Sequence, residues 1–173
     1  MGRLRRFLCL PAAERRLLIK AALLLAVIRL GVRLLPFRIL RRLLTRVANT
    51  PLGPRQADHP SAERIAWAVE AASRHTPGVE SCLVQALTAQ VLLNRRGYPA
   101  PLHIGVTRGE QGQFQAHAWV ESGGKVVIGG TELEYFTRLA VFEGAESSEG
   151  EGLKGFRNYK SIQTTISSEK PPV

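Results

Sequence analysis

Residues 81–121 decide the fold; they read SCLVQALTAQVLLNRRGYPAPLHIGVTRGEQGQFQAHAWVE. The apolar residues of the first part recur at helical spacing, which predicts a helix over Cys82–Arg95 with Gly97 as its C-terminal cap. Further along, apolar and other residues alternate with a period of two, which predicts a strand over Leu102–Val106. A second strand is predicted over Phe114–Glu121.

The neighbouring segments extend this order of helices followed by strands. Ser61 is suited to cap a helix that runs to about His75. Gly109–Gly112 is interpreted as a turn, and Ser122-Gly-Gly124 as the loop of a hairpin that leads into a third strand over Lys125–Gly129. Helices followed by antiparallel strands predict an α+β domain.

The positive charge of the chain is concentrated before this domain. Residues 1–50 hold 12 basic residues and one acidic residue, Glu14, for a net charge of +11, whereas the whole chain carries +10. The apolar stretch Leu17–Leu35 is interrupted by three basic residues, and its longest uncharged run is eight residues, Ala21–Ile28. A transmembrane helix needs about 20 apolar residues, so we interpret this stretch as a buried or interfacial helix.

A second basic helix is predicted over Phe37–Ala48, with Pro36 at its first turn. Arginines cluster on one side of it and aliphatic residues on the other. This pattern fits a surface helix packed on the domain; it also fits attachment through residues 17–48 to an anionic membrane surface or an acidic partner. Nucleic-acid binding is not predicted, because no recognition motif accompanies the charge.

These observations divide the chain into four parts. We predict a basic helical arm over residues 1–50, a linker over 51–60 that is rich in proline, a main domain over 61–144 and a mobile tail over 145–173. Two cysteines and four scattered histidines do not form a disulfide framework or a zinc-site pattern, and no phosphate-binding loop occurs. The sequence therefore predicts neither a metal nor another cofactor.

Cys82 and His117 are the candidate chemical pair. A helix N-terminus favours the thiolate form of a cysteine, and its backbone N–H groups can form part of an oxyanion hole. A histidine on a neighbouring strand would then take the thiol proton and later protonate a leaving amine. A lone cysteine at a helix start is more often a buried apolar residue, and a lone histidine is usually structural, so spacing leaves both interpretations open.

Three segments together add a family resemblance. The helix that starts Ser81-Cys-Leu-Val, the strand Leu102-His-Ile-Gly-Val106 and the strand Ala116-His-Ala-Trp-Val-Glu121 resemble the transglutaminase-like leader peptidase of lasso-peptide biosynthesis. This is the "B" protein in the form without a fused leader-recognition domain. The resemblance covers roughly residues 3–142 and implies a transglutaminase-like, papain-like fold.

The resemblance implies a cytoplasmic cysteine peptidase that removes the leader from a ribosomally made precursor peptide. Cys82 would be the nucleophile and His117 the general base and acid. The implied partners are the precursor, a separate leader-recognition protein and an asparagine-synthetase-like cyclase. Two alternatives stay open: a non-catalytic binding or scaffold protein, and an acyltransferase that uses the same pair.

The sequence departs from the family at the third catalytic residue, an Asp on the strand after the histidine. A three-residue hairpin loop would place Gly129 opposite His117, and a two-residue loop would place Gly130 there. Glu132 is our candidate for the acid that orients His117, with Glu134, a backbone carbonyl or a water molecule as alternatives. Glu121 shares a strand face with His117 but lies about 13 Å away along the strand.

Three further residues carry weaker expectations. Trp119 is expected to be a core residue or a wall of the cleft. Gln85, one turn after Cys82, either contributes to the site or lies on a solvated helix face. His103 alternates away from the apolar face of its strand, so we predict that it is exposed.

Overall fold

The computed structural model describes residues 9–50, 60–74, 82–108, 113–130 and 133–142. The helices are α1 (Ala12–Leu34), α2 (Phe37–Ala48), α3 (Ala62–Ser73) and α4 (Cys82–Asn94). The strands are β1 (Leu102–Arg108), β2 (Phe114–Ser122), β3 (Lys125–Ile128) and β4 (Thr137–Phe142), with a 3₁₀ helix over Leu133–Tyr135 before β4. Helices precede an antiparallel sheet, so the predicted α+β class is confirmed.

Several predictions fall outside the described residues. They concern residues 1–8 of the arm, residues 51–59 of the linker, the turn at 109–112, the tail at 145–173, and the single residues Ser81 and Glu132. The division of the chain into arm, linker, domain and tail stays a prediction.

The helix ends follow local signals in the sequence. Ser61 caps α3, because its Oγ accepts a hydrogen bond from the backbone N–H of Arg64 at 3.4 Å. Gly97 follows α4 with φ of +75°, the left-handed conformation that closes many helices. The bounds of α2 are those predicted, whereas α1 begins at Ala12, five residues before the predicted stretch.

Helix α4 lies at the centre of the molecule. Every residue from Leu83 to Leu93 except Gln85 is buried, so this helix is covered on all sides. It contacts α1, α2, α3 and the sheet. Its polar Gln90 is satisfied there: the side-chain Nε2 donates to the carbonyls of Ala100 at 3.0 Å and Phe142 at 2.8 Å. The packing of this helix therefore fixes the position of its first residue, Cys82.

The four strands form one antiparallel sheet in the order β3-β2-β1-β4. One face packs its apolar side chains against α4. The buried residues on that face include Leu102, Ile104, Ala118, Val120 and Ile128. Strand β4 was not predicted from the sequence; it pairs with β1 as an edge strand, with Leu102 opposite Phe142.

The hairpin between β2 and β3 has the two-residue loop. Ser122 pairs with Lys125, which leaves Gly123 and Gly124 as the turn, both with positive φ. A bulge then shifts the register, so that Val120 pairs with Ile128. Because β3 ends at Ile128, the simple extrapolation that places Gly130 opposite His117 does not apply.

The two helices of the arm share the core of the domain. Leu17, Leu25 and Ile28 of α1 are buried in the same apolar cluster as the central helix. Glu14, in the first turn of α1, forms an ion pair with Arg64 of α3. No helix within the described residues is long and apolar enough to cross a membrane.

Candidate active site

Cys82 is the first residue of α4 and is partly exposed. Its neighbours Leu83 and Val84 are buried, which fixes the start of the helix against the domain. The first backbone N–H groups of a helix have no partner within the helix, and the helix dipole is positive at this end. The thiol therefore lies where the backbone favours negative charge.

His117 lies where β2 passes from exposed to buried residues, and its ring is half-buried. Its Nε2 lies 2.9 Å from the carbonyl oxygen of Gly129. A carbonyl oxygen only accepts hydrogen bonds, so Nε2 carries the hydrogen and Nδ1 keeps the lone pair of the neutral ring. This contact therefore sets the tautomer that leaves Nδ1 able to act as a base.

Gly129 delivers this carbonyl because of its backbone conformation. Its φ of +75° lies in the left-handed region, and a Cβ there would lie 2.7 Å from the carbonyl oxygen of Ala118 and 3.2 Å from Nε2 of His117. No side chain fits at this position without a shift of the backbone. An aspartate in place of Gly129 would thus require the backbone to move, and in this structure the main chain contacts the ring instead.

Cys82 and His117 line the same cleft, whose volume is about 560 Å³. The other lining residues are Glu70, Ser73, Arg74, Gln85, Ile128, Gly129 and Gly130. The structure therefore brings together the two predicted residues, together with Gln85 on the next turn of α4. Gly129, whose backbone carbonyl contacts His117, also lines the cleft; a backbone carbonyl was one of the three alternatives to Glu132 for orienting the histidine.

The C-terminal end of α3 forms a wall of this cleft that the sequence did not predict. Glu70 and Arg74 form an ion pair across one helical turn, with 3.7 Å between the charged atoms. The Ser73 hydroxyl donates to the backbone carbonyl of Glu70 at 2.9 Å. The cleft thus holds charges of both signs beside the thiol. The sequence could not predict this wall, because the apolar period of α3 indicates only which side of the helix is buried. The presence of Glu70 and Arg74 in the cleft depends on the packing of α3 beside α4.

Two aromatic rings lie close to the imidazole ring of His117. The ring of Phe136 lies 5.2 Å from that of His117, and the ring of Trp119 lies 6.4 Å away and nearly parallel. Trp119 is only 1% exposed, so it is a core residue. Its indole Nε1 donates to Glu121 at 3.1 Å. The imidazole of His117 thus has two aromatic rings as neighbours.

Glu121 has partners other than His117, in agreement with the distance expected along the strand. Besides the indole of Trp119, its carboxylate accepts a hydrogen bond from Arg138 of β4 at 2.8 Å. Its second oxygen lies 3.6 Å from Nε2 of His103. Glu121 therefore belongs to a cluster on β1, β2 and β4 that supports Trp119.

The prediction that His103 is exposed was wrong. The residue is 4% exposed, and its ring stacks on Trp119 at 5.4 Å between centroids. Burial lowers the pKa of His103; Glu121 opposes this shift, and Arg138 adds to it. The alternation rule failed because it assumed that the second face of the sheet meets solvent, whereas Trp119 and its neighbours cover this histidine.

The carboxylates proposed to orient His117 do not gain support. Glu132 lies outside the described residues, and Glu134 is exposed in the 3₁₀ helix. Among the residues that the structure describes, the carbonyl of Gly129 is the hydrogen-bond partner of the His117 ring.

Comparison with known proteins identifies a family that the chain matches. The family described as the transglutaminase-like superfamily matches residues 21–141, which include α2, α3, α4, the sheet and most of α1. Searches of curated proteins and of solved structures found no significant match. The matched region covers more than half of the chain and contains both Cys82 and His117. The chain belongs to the transglutaminase-like superfamily.

Proposed function

We propose that this protein is a cysteine peptidase in which Cys82 is the nucleophile and His117 the general base and acid. Membership of the superfamily supports a papain-like cysteine peptidase or a related activity. The observation that carries the proposal is the shared cleft. Cys82 and His117 both line it, and the Gly129 carbonyl holds Nε2 of the ring so that Nδ1 is the basic atom.

The proposed reaction has two stages. Nδ1 of His117 takes the proton of the Cys82 thiol as the sulfur attacks the carbonyl carbon of a peptide bond. The backbone N–H groups at the start of α4 stabilise the resulting oxyanion. When the C–N bond breaks, the same proton passes to the leaving amine. Water, deprotonated by His117, then attacks the thioester, which releases the acid product and restores the thiol.

The substrate that we propose is the leader-bearing precursor of a lasso peptide or a related ribosomally made peptide. This step rests on the sequence resemblance of the Cys82 helix and the His117 strand. We further propose that the protein acts in the cytoplasm together with two partners. One is a leader-recognition protein that presents the precursor, and the other is a cyclase of the asparagine-synthetase type that uses the freed amine. The open cleft, with Glu70 and Arg74 beside the thiol, has room for an extended peptide segment.

The test is cleavage of a precursor peptide in the presence of the leader-recognition protein, followed by mass spectrometry. We expect cleavage by the wild-type protein, none by Cys82→Ala, and a rate at least about a hundredfold lower for His117→Ala. Cys9→Ala is the matched control, because Cys9 is the exposed second cysteine and should be dispensable. No cleavage by the wild type, with a partner shown to bind leader, would overturn the peptidase proposal and favour a scaffold protein.

A second measurement needs no substrate. Iodoacetamide labelling, resolved by peptide mapping, compares Cys82 with Cys9 within one molecule. We expect His117→Ala to slow alkylation of Cys82 and to leave Cys9 unchanged, since only Cys82 shares a cleft with the histidine. Equal rates in the two proteins would contradict the pairing. An amine adduct in place of the free acid in the cleavage assay would identify an acyltransferase.

A further inference from the structure

Helix α1 is apolar on two opposite sides. The side toward the core holds Leu17, Ala21, Leu25 and Ile28, each at most 5% exposed. The outer side holds Ile19, Leu23, Val27, Leu30 and Leu34, which are 49%, 63%, 63%, 58% and 69% exposed. These outer residues follow one another at intervals of three or four, so they form one stripe along the helix. We call them the outer stripe.

Helix α2 adds a second set of exposed aliphatic residues. Ile39, Leu43 and Val47, each one turn after the last, are 47%, 45% and 41% exposed. The two helices touch where Gly31 lies against the side chain of Leu40: a Cβ on Gly31 would lie 2.6 Å from Leu40 Cδ1. The arm therefore presents aliphatic side chains from two adjoining helices. Clusters of exposed apolar residues often mark a binding site.

Basic side chains accompany these aliphatic residues. Six of them are exposed on the two helices: Arg16, Lys20, Arg33, Arg38, Arg42 and Arg46. The only acid among residues 1–50, Glu14, is engaged in the ion pair with Arg64. A surface that combines exposed aliphatic residues with an excess of basic residues over acidic ones is suited to bind a bilayer, in which anionic groups cover an apolar layer.

We propose that the outer faces of α1 and α2 bind side-on to the surface of an anionic phospholipid bilayer. A second copy of this chain is disfavoured, because two arms of net charge +11 would face each other. A protein partner is less favoured, because protein interfaces are enriched in aromatic residues, whereas the exposed apolar residues of this surface are all aliphatic. The outer stripe enters the acyl region, and the long basic side chains extend to the phosphates.

The docking surface is separate from the catalytic cleft. None of the residues on the outer stripe or on the exposed side of α2 lines that cleft. Variants of this surface therefore test docking while the proposed chemistry stays intact, and loss of one activity does not imply loss of the other.

The experiment is co-sedimentation of the full chain with vesicles. One set contains phosphatidylcholine alone, and the other contains phosphatidylcholine mixed with phosphatidylglycerol. We expect binding to the anionic set and release on addition of salt, which screens the attraction. Each of Arg33→Gln and Arg38→Gln should weaken binding about fivefold. The double variant Leu23→Glu/Val27→Glu should weaken it about tenfold or more.

Matched controls come from outside the arm. Leu139→Glu alters a residue of β4 that is 59% exposed, and Lys125→Gln alters an exposed lysine of the hairpin. Both should bind like the wild type, and circular dichroism should show that every variant is folded. Absence of binding to anionic vesicles would overturn the proposal. Equal loss in the controls, or a wild-type dimer that Leu23→Glu/Val27→Glu converts to a monomer without any vesicle binding, would also overturn it.

Discussion

At the residue scale, a neutral backbone carbonyl contacts His117, the proposed catalytic histidine, where the family resemblance implies a charged aspartate. The Gly129 carbonyl fixes the tautomer of His117 as a carboxylate would, through one hydrogen bond of 2.9 Å. It brings only a dipole, so it stabilises a positively charged imidazole less than an aspartate does. The carbonyl thus orients the ring of His117 as an aspartate would, but it stabilises the positively charged form of the ring less.

This role makes Gly129 sensitive to the smallest substitution. We expect Gly129→Ala to lower the cleavage rate at least about tenfold, because the added methyl group displaces the carbonyl from His117. The left-handed φ and the close approach to Ala118 should also reduce the free energy of unfolding by about 1–3 kcal/mol. Cleavage rate and urea denaturation measure the two effects separately.

Gly123→Ala supplies the control for backbone strain. Gly123 also has a positive φ, +58°, but a Cβ there meets nothing within 4 Å, and the residue lies in the hairpin loop. We expect a similar cost of the left-handed conformation, about 1 kcal/mol, with an unchanged cleavage rate. If both variants lost activity alike, instability of the hairpin rather than the position of the Gly129 carbonyl would explain the loss.

At the scale of elements, the sheet has two covered faces of different chemistry. One face packs aliphatic residues on α4. The other holds His103, Trp119 and Glu121, with Arg138 from β4. Both ring nitrogens of His103 are buried without a hydrogen bond among the described residues. A protonated ring would lose its hydration there and would lie near both Glu121 and Arg138, so the cluster favours neutral His103.

This burial predicts a dependence of stability on pH. The pKa of His103 is lowered from its ordinary value of 6.5. Between about pH 6.5 and the lowered pKa, the unfolded chain therefore binds a proton that the folded chain does not, and stability falls as the pH falls through this range. We expect this residue to add a slope of up to about 1.4 kcal/mol per pH unit below about pH 6.5. Urea unfolding of the wild type and of His103→Gln at several pH values measures it.

The comparison depends on slopes rather than on absolute stability. His103→Gln removes the titrating ring, so its unfolding free energy should fall less steeply with acid than that of the wild type. Above about pH 7.5 the contribution of His103 should no longer change with pH, because the ring is neutral in both states. Parallel curves for the two proteins across the whole range would contradict the lowered pKa.

The same elements show what the sequence could predict and what it could not. The helices around Cys82 and over Phe37–Ala48 were found because their apolar period and end signals are local. Strand β4 was missed because, as an edge strand, it leaves Leu139 59% exposed and Val141 45% exposed. The position of the Gly129 carbonyl follows a β-bulge in the hairpin, and the presence of Glu70 in the cleft depends on the packing of α3 beside α4. Neither feature has a local pattern in the chain.

At the scale of the whole molecule, helices α1 and α2 share one apolar core with α3, α4 and the sheet. The inner side of α1 packs on α3 and α4, and α4 carries Cys82 at its first residue. Leu25 of α1 is completely buried in the apolar cluster that also contains residues of the sheet. We therefore infer that the site depends on these helices for stability, although none of the described residues of α1 and α2 lines the cleft.

We therefore expect Leu25→Ala to destabilise the entire domain. Removal of a fully buried leucine side chain should lower the free energy of unfolding by about 2–5 kcal/mol. Because the core is shared, the loss of helix seen by circular dichroism and the exposure of buried Trp119 seen by fluorescence should coincide in urea. Leu23→Ala, two residues away but 63% exposed, is the matched control and should change stability by about 0.5 kcal/mol or less. Two separate transitions in Leu25→Ala, with the fluorescence midpoint unchanged, would instead show an arm that unfolds independently of the catalytic domain.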